Sequence, residues 1–322
     1  MFRILHDASY EFIGNRKKAY VFSATLLAVC IAAGLYWTAQ RGSAFRYGVD
    51  FTGGSIVRVQ VPAAAEVGEL RDVVGSVMDG TEITKFGGEG GEYLIRTPVT
   101  RGAATSGSDA VAQALRAKFG EDGVTLGSTE AVSAKVGEEL QGRAAIAIIV
   151  SLLATLIYLA FRFEWRFGLA AIIATAHDIL LTLGLISLLQ LEVSLTMVAA
   201  MLTIVGYSLN DTIVIFDRIR ENMKKVRRSE FVAMLNRSIN ETLPRTVLTG
   251  GATLATLFSL FLFGGATLRE FALILIIGIV LGTYSSIYIA TPVLLQIEQR
   301  WPGETAPRRK PASPARSAAA RA

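Results

Sequence analysis

Cysteine and histidine are almost absent: one Cys, Cys30, and two His, His6 and His177, in 322 residues. A lone Cys excludes a disulfide framework, and the three residues together exclude a structural zinc cluster or a Cys/His catalytic pair as a chain-wide explanation. Charge is also scarce, at 18% against 52% hydrophobic residues, which argues against an ordinary soluble protein. The basic surplus, 32 Lys+Arg against 27 Asp+Glu, falls in short blocks between long apolar runs. Membrane topology explains that distribution, so the basic residues need no nucleic-acid partner.

A bilayer core needs about 20 predominantly apolar residues per helix. Six stretches qualify: Ala19–Thr38, Gly142–Phe161, Phe167–Leu189, Val193–Phe216, Thr246–Gly264 and Phe271–Ile297. Loop charge sets their orientation. Arg3, Arg16, Lys17 and Lys18 precede the first span, Arg162 and Arg166 join the second to the third, and Arg218 to Arg245 lie between the fourth and fifth. The turn at Leu189–Glu192 has no Lys or Arg, and the turn between the last two spans has only Arg269. Both termini are expected in the cytoplasm, and the chain in a bacterial cytoplasmic (inner) membrane. The first span reads as a retained anchor, because its leading segment is long and no small-x-small cleavage site follows Trp37. Cys30, inside that apolar run, reads as structural.

Between the first two spans lie residues 39–141, rich in acidic residues and without a long apolar run. Alternation predicts strands at Ser55–Val61, Glu82–Phe86, Glu92–Arg96 and Val124–Val132, with helices at Glu66–Met78 and Ser108–Phe119 and a turn at Gly87-Gly88-Glu89-Gly90-Gly91. The expected fold is therefore a mainly α-helical polytopic membrane protein with six transmembrane helices. One small α+β extracytoplasmic domain, a ferredoxin-like βαββαβ sandwich, lies between the first and second helices. Its expected divisions are a tail at 1–18, the first helix at 19–38, the outer domain at 39–141, helices 2–6 at 142–297 and a disordered basic tail at 298–322. Ahead of the first strand stands Gly48-Val49-Asp50-Phe51-Thr52-Gly53-Gly54. A phosphate cradle needs a following helix N-terminus, and here a strand follows, so a structural turn with Asp50 bonding nearby amides is the expectation.

An ionised side chain at the bilayer centre costs about 2.5–3.5 kcal/mol on insertion scales. Asp178 and His177 lie about eleven residues into the third span, some 16 Å deep at 1.5 Å per residue. Ala171, Thr175, Asp178 and Thr182 share one helix face, a small and polar stripe that should meet protein or water. Asp211 lies near the cytoplasmic end of the fourth span. Pro244 takes a first-turn position of the fifth, with Arg245 next to it and within reach of the depth of Asp211. An adjacent Arg keeps a buried Asp ionised, and withdrawing it lets desolvation favour the protonated acid, which is the physics of a switchable proton site. The competing reading is a static pair that fixes helix packing, or an Arg that snorkels to the interface. Asp178 and His177 are weaker proton-coupling candidates, each with a packing role as the alternative.

Gly278 and Gly282 form GxxxG in the last span, with Ser285 and Ser286 a turn later, permitting close helix approach. Glu230–Leu243 reads as an amphipathic helix on the cytoplasmic membrane surface, with Lys224 to Arg228 suited to anionic lipid.

These features together resemble a known family. Ser208-Leu209-Asn210-Asp211 and the run to Asn222, the Gly48–Gly54 motif, Ala176-His177-Asp178, Leu243-Pro244-Arg245-Thr246 and Leu275–Ala290 are similar, in order, to the SecD/SecF family of protein-export membrane proteins, within the resistance-nodulation-division superfamily. The resemblance covers about Gly14 to Gln299. Val132–Gly137 departs from it, lacking a Gly-Pro found in many relatives. The resemblance implies no enzyme activity and no cofactor beyond the transported ion. It implies a SecD partner supplying the other six spans, the SecYEG channel with SecA, YidC and YajC as further candidates, and a translocating preprotein. It assigns Asp211 as the proton-binding carboxylate and Arg245 as its mobile counter-charge, with Gly48, Asp50, Gly53, Gly54, Asn210, Gly278 and Gly282 as structural motif residues. Sodium remains an alternative coupling ion. The competing functions are a non-transporting scaffold of a translocon or insertase and a small-molecule efflux subunit of the same superfamily.

Overall fold

The computed structural model describes residues 9–62, 67–78, 81–86, 91–97, 106–225 and 230–301. The expected Gly87–Gly90 part of the glycine turn and the tail after Trp301 lie outside them.

Among the described residues, six helices are long and apolar enough to cross a membrane. In chain order they are α1 (Arg16–Arg41), α5 (Ala134–Arg162), α6 (Trp165–Leu189), α7 (Leu195–Met223), α8 (Phe231–Phe263) and a composite last span. The last span consists of α9 (Gly265–Ser285), a π-helical turn (Ser286–Ala290) and α10 (Thr291–Arg300). The most apolar stretch of α7 is 56% buried and that of the last span 61%, against 17% for α1 and 6% for α5. Thus α7 and the last span form the centre with α6, while α1, α5 and α8 present apolar side chains such as Phe22, Ile149 and Phe258 outward. A helix apolar all round suits lipid or another membrane subunit.

The α/β domain between the first two spans, expected on the outer side, begins after Gly42, whose φ of +77° ends α1. It contains β1 (Arg46–Tyr47), α2 (Val49–Thr52), β2 (Gly54–Gln60), α3 (Val67–Gly75), β3 (Glu82–Phe86), β4 (Glu92–Thr97), α4 (Ser106–Phe119) and β5 (Thr125–Val132). The sheet runs β3-β4-β2-β5 with every neighbour antiparallel. Val57 and Val59 oppose Ile95 and Tyr93, and all four are buried with Leu70, Val74, Val111 and Leu115 of α3 and α4. This is period-2 alternation packing one sheet face on two helices.

Two expectations are corrected. The Gly48–Gly54 segment is not a simple turn: Val49–Thr52 closes one helical turn, burying Val49 and Phe51, before Gly53 (φ +73°) and Gly54 (φ +128°) redirect the chain into β2. Asp50 bonds a remote amide, described below. The amphipathic 230–243 segment is not a separate surface helix. It is continuous with the fifth span, and Pro244 lies inside α8 and not in its first turn. Its apolar side chains Met234, Leu235 and Ile239 are covered by Phe12, Phe216, Ile219 and Leu294 and not by lipid. That docking holds the helix through a proline that removes one backbone bond. Asn222 Nδ2 donates to Ser238 Oγ (3.0 Å), and Arg218 and Arg237 both bind Glu241.

Candidate functional site

In the centre, α7 and α9 approach each other closely. A methyl group at Gly278 would overlap Ile204, and one at Gly282 would stand 3.0 Å from Ser208 Cβ. The glycines of GxxxG thus meet a stripe that continues on α7 as Ile204, Ser208 and Asp211, and on α9 as Gly278, Gly282 and Ser285.

Asp178 sits on the buried stripe of α6 with Ala171, Thr175 and Thr182, all at most 5% exposed. Its Oδ2 accepts from Ser208 Oγ on α7 (2.5 Å) and Ser285 Oγ on α9 (2.6 Å), and its Oδ1 is 2.9 Å from His177 Nδ1. His177 Nε2 lies 3.0 Å from Ser23 Oγ on α1, and Ser23 Oγ lies 3.1 Å from the Tyr284 hydroxyl. One carboxylate therefore ties α1, α6, α7 and α9 together beside the π-helical turn. Sequence alone does not assign Ser208 and Ser285 to Asp178, nor Ser23 and Tyr284 to the chain that continues from His177. Hydroxyls at helical spacing in a span were the available signal, but spacing does not say which helices face each other.

Asp211 contrasts with this. It is 2% exposed, yet among the described residues its one hydrogen bond is a long one, 3.4 Å from Thr283 Oγ1 on α9. Arg245 acts on it electrostatically from α8, but no ion pair within 4 Å joins the two among the described residues. Arg245 is exposed on α8, at the border of the buried face formed by Thr242, Thr246 and Gly250. Asn210, next to Asp211, is likewise exposed. A buried carboxylate with one weak donor and a counter-charge at a distance has the chemistry of a group whose protonation depends on the helix arrangement.

The outer-domain motif meets the membrane bundle at the α6–α7 turn. There β6 (Glu192–Val193) pairs in parallel with β1. The Asp50 carboxylate accepts from the Leu195 N–H at the start of α7 (2.8 Å). Glu192, 6% exposed, forms an ion pair with Arg96 of β4. Burial pushes the Glu192 carboxyl above its ordinary value, outweighing Arg96 and Arg46, with Glu270 adding to the rise.

The fold and site define a polytopic membrane subunit with an α/β domain between its first two spans and acidic groups buried in its helix core. Residues 111–300 match the model described as "Protein export membrane protein SecD/SecF, C-terminal", and residues 43–61 match the "SecD/SecF GG Motif". The chain is 44% identical to the protein translocase subunit SecF of Gemmatimonas aurantiaca, over 94% of this chain and 91% of that one. It is 41% identical to that of Rhodothermus marinus, over 92% and 96%. It also resembles the crystal structure of SecDF, a translocon-associated membrane protein from Thermus thermophilus, at a TM-score of 0.78 and 36% identity over 93% of this chain. The chain spans 40% of that longer protein. This chain belongs to the SecD/SecF family of protein-export membrane proteins.

Proposed function

We propose that this chain is one half of a SecDF-type complex that uses the proton gradient to promote preprotein movement through the Sec channel, alongside SecA. It is a non-catalytic transport subunit. The observation that carries the reading is the state of Asp211: buried in the central span, weakly hydrogen-bonded, and within electrostatic reach of an Arg245 that is not locked to it. In this reading the carboxylate takes a proton when Arg245 withdraws and releases it when Arg245 returns. The exposed flank of α8 that carries Arg245 then faces the SecD partner, whose own spans complete the ion path. Asp178, whose lone pairs are already engaged by three donors, holds the helices in register.

The strand order β3-β4-β2-β5 with antiparallel pairing supports a ferredoxin-like outer domain. The basic residues of the α5–α6 and α7–α8 connections, against an Arg-free α6–α7 turn, support cytoplasmic termini and contact of Lys224 and Lys225 with anionic lipid. The YidC and YajC assignments rest on the family resemblance alone.

The deciding experiment is export of a secretory preprotein in vesicles containing this chain, SecD and the channel, with and without a proton or sodium gradient. Asp211→Asn and Arg245→Met complexes that co-purify normally should lose the gradient-dependent component. Normal gradient dependence in both would leave these residues structural and favour a scaffold. Dependence on sodium instead of protons would replace the coupling ion.

A further inference from the structure

The segment matching the GG-motif model converges on the outer end of the helix that carries Asp211. Four independent contacts meet there. The Arg46–Tyr47 strand pairs with Glu192–Val193, and the Gly48 N–H donates to the Val193 carbonyl (2.9 Å). The Asp50 carboxylate takes the Leu195 N–H at 2.8 Å, where the positive end of the α7 dipole favours it. Ser187 Oγ at the end of α6 donates to the Ala44 carbonyl (2.7 Å). Arg96 reaches down from the middle of the outer sheet to Glu192.

Glycine makes the approach possible. A methyl group at Gly48 would overlap the Glu192 carboxylate, one at Gly54 would overlap the Thr97 carbonyl, and one at Gly137, in the first turn of α5, would stand 2.9 Å from the Phe51 carbonyl. Contacts of this density, mixing backbone ladder, helix cap and buried ion pair, hold two bodies at a fixed angle, unlike one flexible linker. From Leu195 to Asp211 is 16 residues of unbroken helix, about 24 Å at 1.5 Å per residue.

We propose that the 43–61 segment and the Glu192–Leu195 turn form a rigid joint that carries displacement of α7 to the outer domain, with Asp50, Arg96 and Glu192 as its positioning residues. The inference rests on the gradient-driven reading above. Protonation of Asp211 changes how α7 packs against α8 and α9, and the joint turns that change into movement of the sheet.

The test uses the assembled complex in vesicles, with Asp211→Asn run in parallel. Asp50→Ala and Glu192→Ala are expected to lower the gradient-dependent component of export about fivefold. Complex yield and the gradient-independent component should stay unchanged. The exchange Arg96→Glu with Glu192→Arg should restore coupling. A disulfide between Tyr47→Cys and Val193→Cys, in a Cys30→Ala background, should leave export intact, because a rigid joint does not need to open. The joint alone is overturned if Asp211→Asn loses gradient dependence while Asp50→Ala and Glu192→Ala keep it, or if the disulfide stops export. If a single variant does not assemble, the charge exchange decides: an assembled but uncoupled exchange also overturns it. If Asp211→Asn keeps gradient dependence, the gradient-driven reading fails and takes the joint with it.

Discussion

Thr283 Oγ1 on α9 stands 3.4 Å from Asp211 Oδ2 on α7, and it is the one hydrogen-bond donor to that buried carboxylate among the described residues. Asp178, on α6, accepts from two serines and the adjacent histidine. The two intramembrane acids thus have opposite demands on their surroundings, and variants separate them.

Asp178→Ala leaves the Ser208 hydroxyl and His177 Nδ1 without their acceptor in the helix core, while Ser285 Oγ keeps the Gly282 carbonyl (3.1 Å) and His177 Nε2 keeps Ser23 Oγ (3.0 Å). Each buried polar group left unpaired costs about 1–3 kcal/mol. The variant should therefore melt well below wild type in detergent. Asp211→Asn, which forfeits at most one long hydrogen bond, should melt within a few degrees of it. Equal melting temperatures for Asp178→Ala and wild type would remove the keystone role.

Arg245→Met removes an exposed charge with no ion pair within 4 Å among the described residues. Exposed substitutions of this kind change stability by about 0.5 kcal/mol or less. The expected result is a normally folded, normally assembling chain that has lost gradient-dependent export, read by thermal melting and the vesicle assay on the same preparation.

Gly278→Leu forces a side chain into Ile204 and pushes α7 from α9. Overpacking of this kind costs about 1–3 kcal/mol, and the separation also draws Thr283 from Asp211. Gly251, with open space around it, is the control: Gly251→Ala should be neutral or slightly stabilising. Thermal melts of the two variants test the pair.

Glu192 supplies a pH dependence with a definite sign. Its folded-state pKa is raised, by burial first and by Glu270 next, against Arg96 and Arg46. Protonation is thus easier in the folded state than in the unfolded one. Its stabilising contribution is complete below the unfolded value and is lost as pH rises through the raised folded value. Glu192→Gln keeps a hydrogen-bonding side chain facing Arg96 without the titration. Wild type should lose stability relative to Glu192→Gln as pH climbs from the ordinary carboxylate range through the raised value. Parallel curves across that window would contradict the assignment.

Much of the architecture was legible because the bilayer constrains sequence so tightly. Twenty apolar residues announce a span, and an Asp within one announces a problem to be solved. The stripe Ala171, Thr175, Asp178 and Thr182 could be read from helical spacing, since spacing fixes the face of a single helix. Pro244 could not be placed correctly. A proline usually opens a helix, and only the protein packed over Met234, Leu235 and Ile239 keeps α8 running through it.

Local pattern and the bilayer are enough to specify the six helices, the alternating strands of the α/β domain and the identity of the acids within the membrane. Tertiary structure alone decided which acid is satisfied and which is not, since Ser208 and Ser285 reach Asp178 from helices remote in sequence. It also decided that Asp50 caps α7 from 145 residues away. Spacing fixes the direction a side chain takes from its own helix. What it meets depends on how the helices pack.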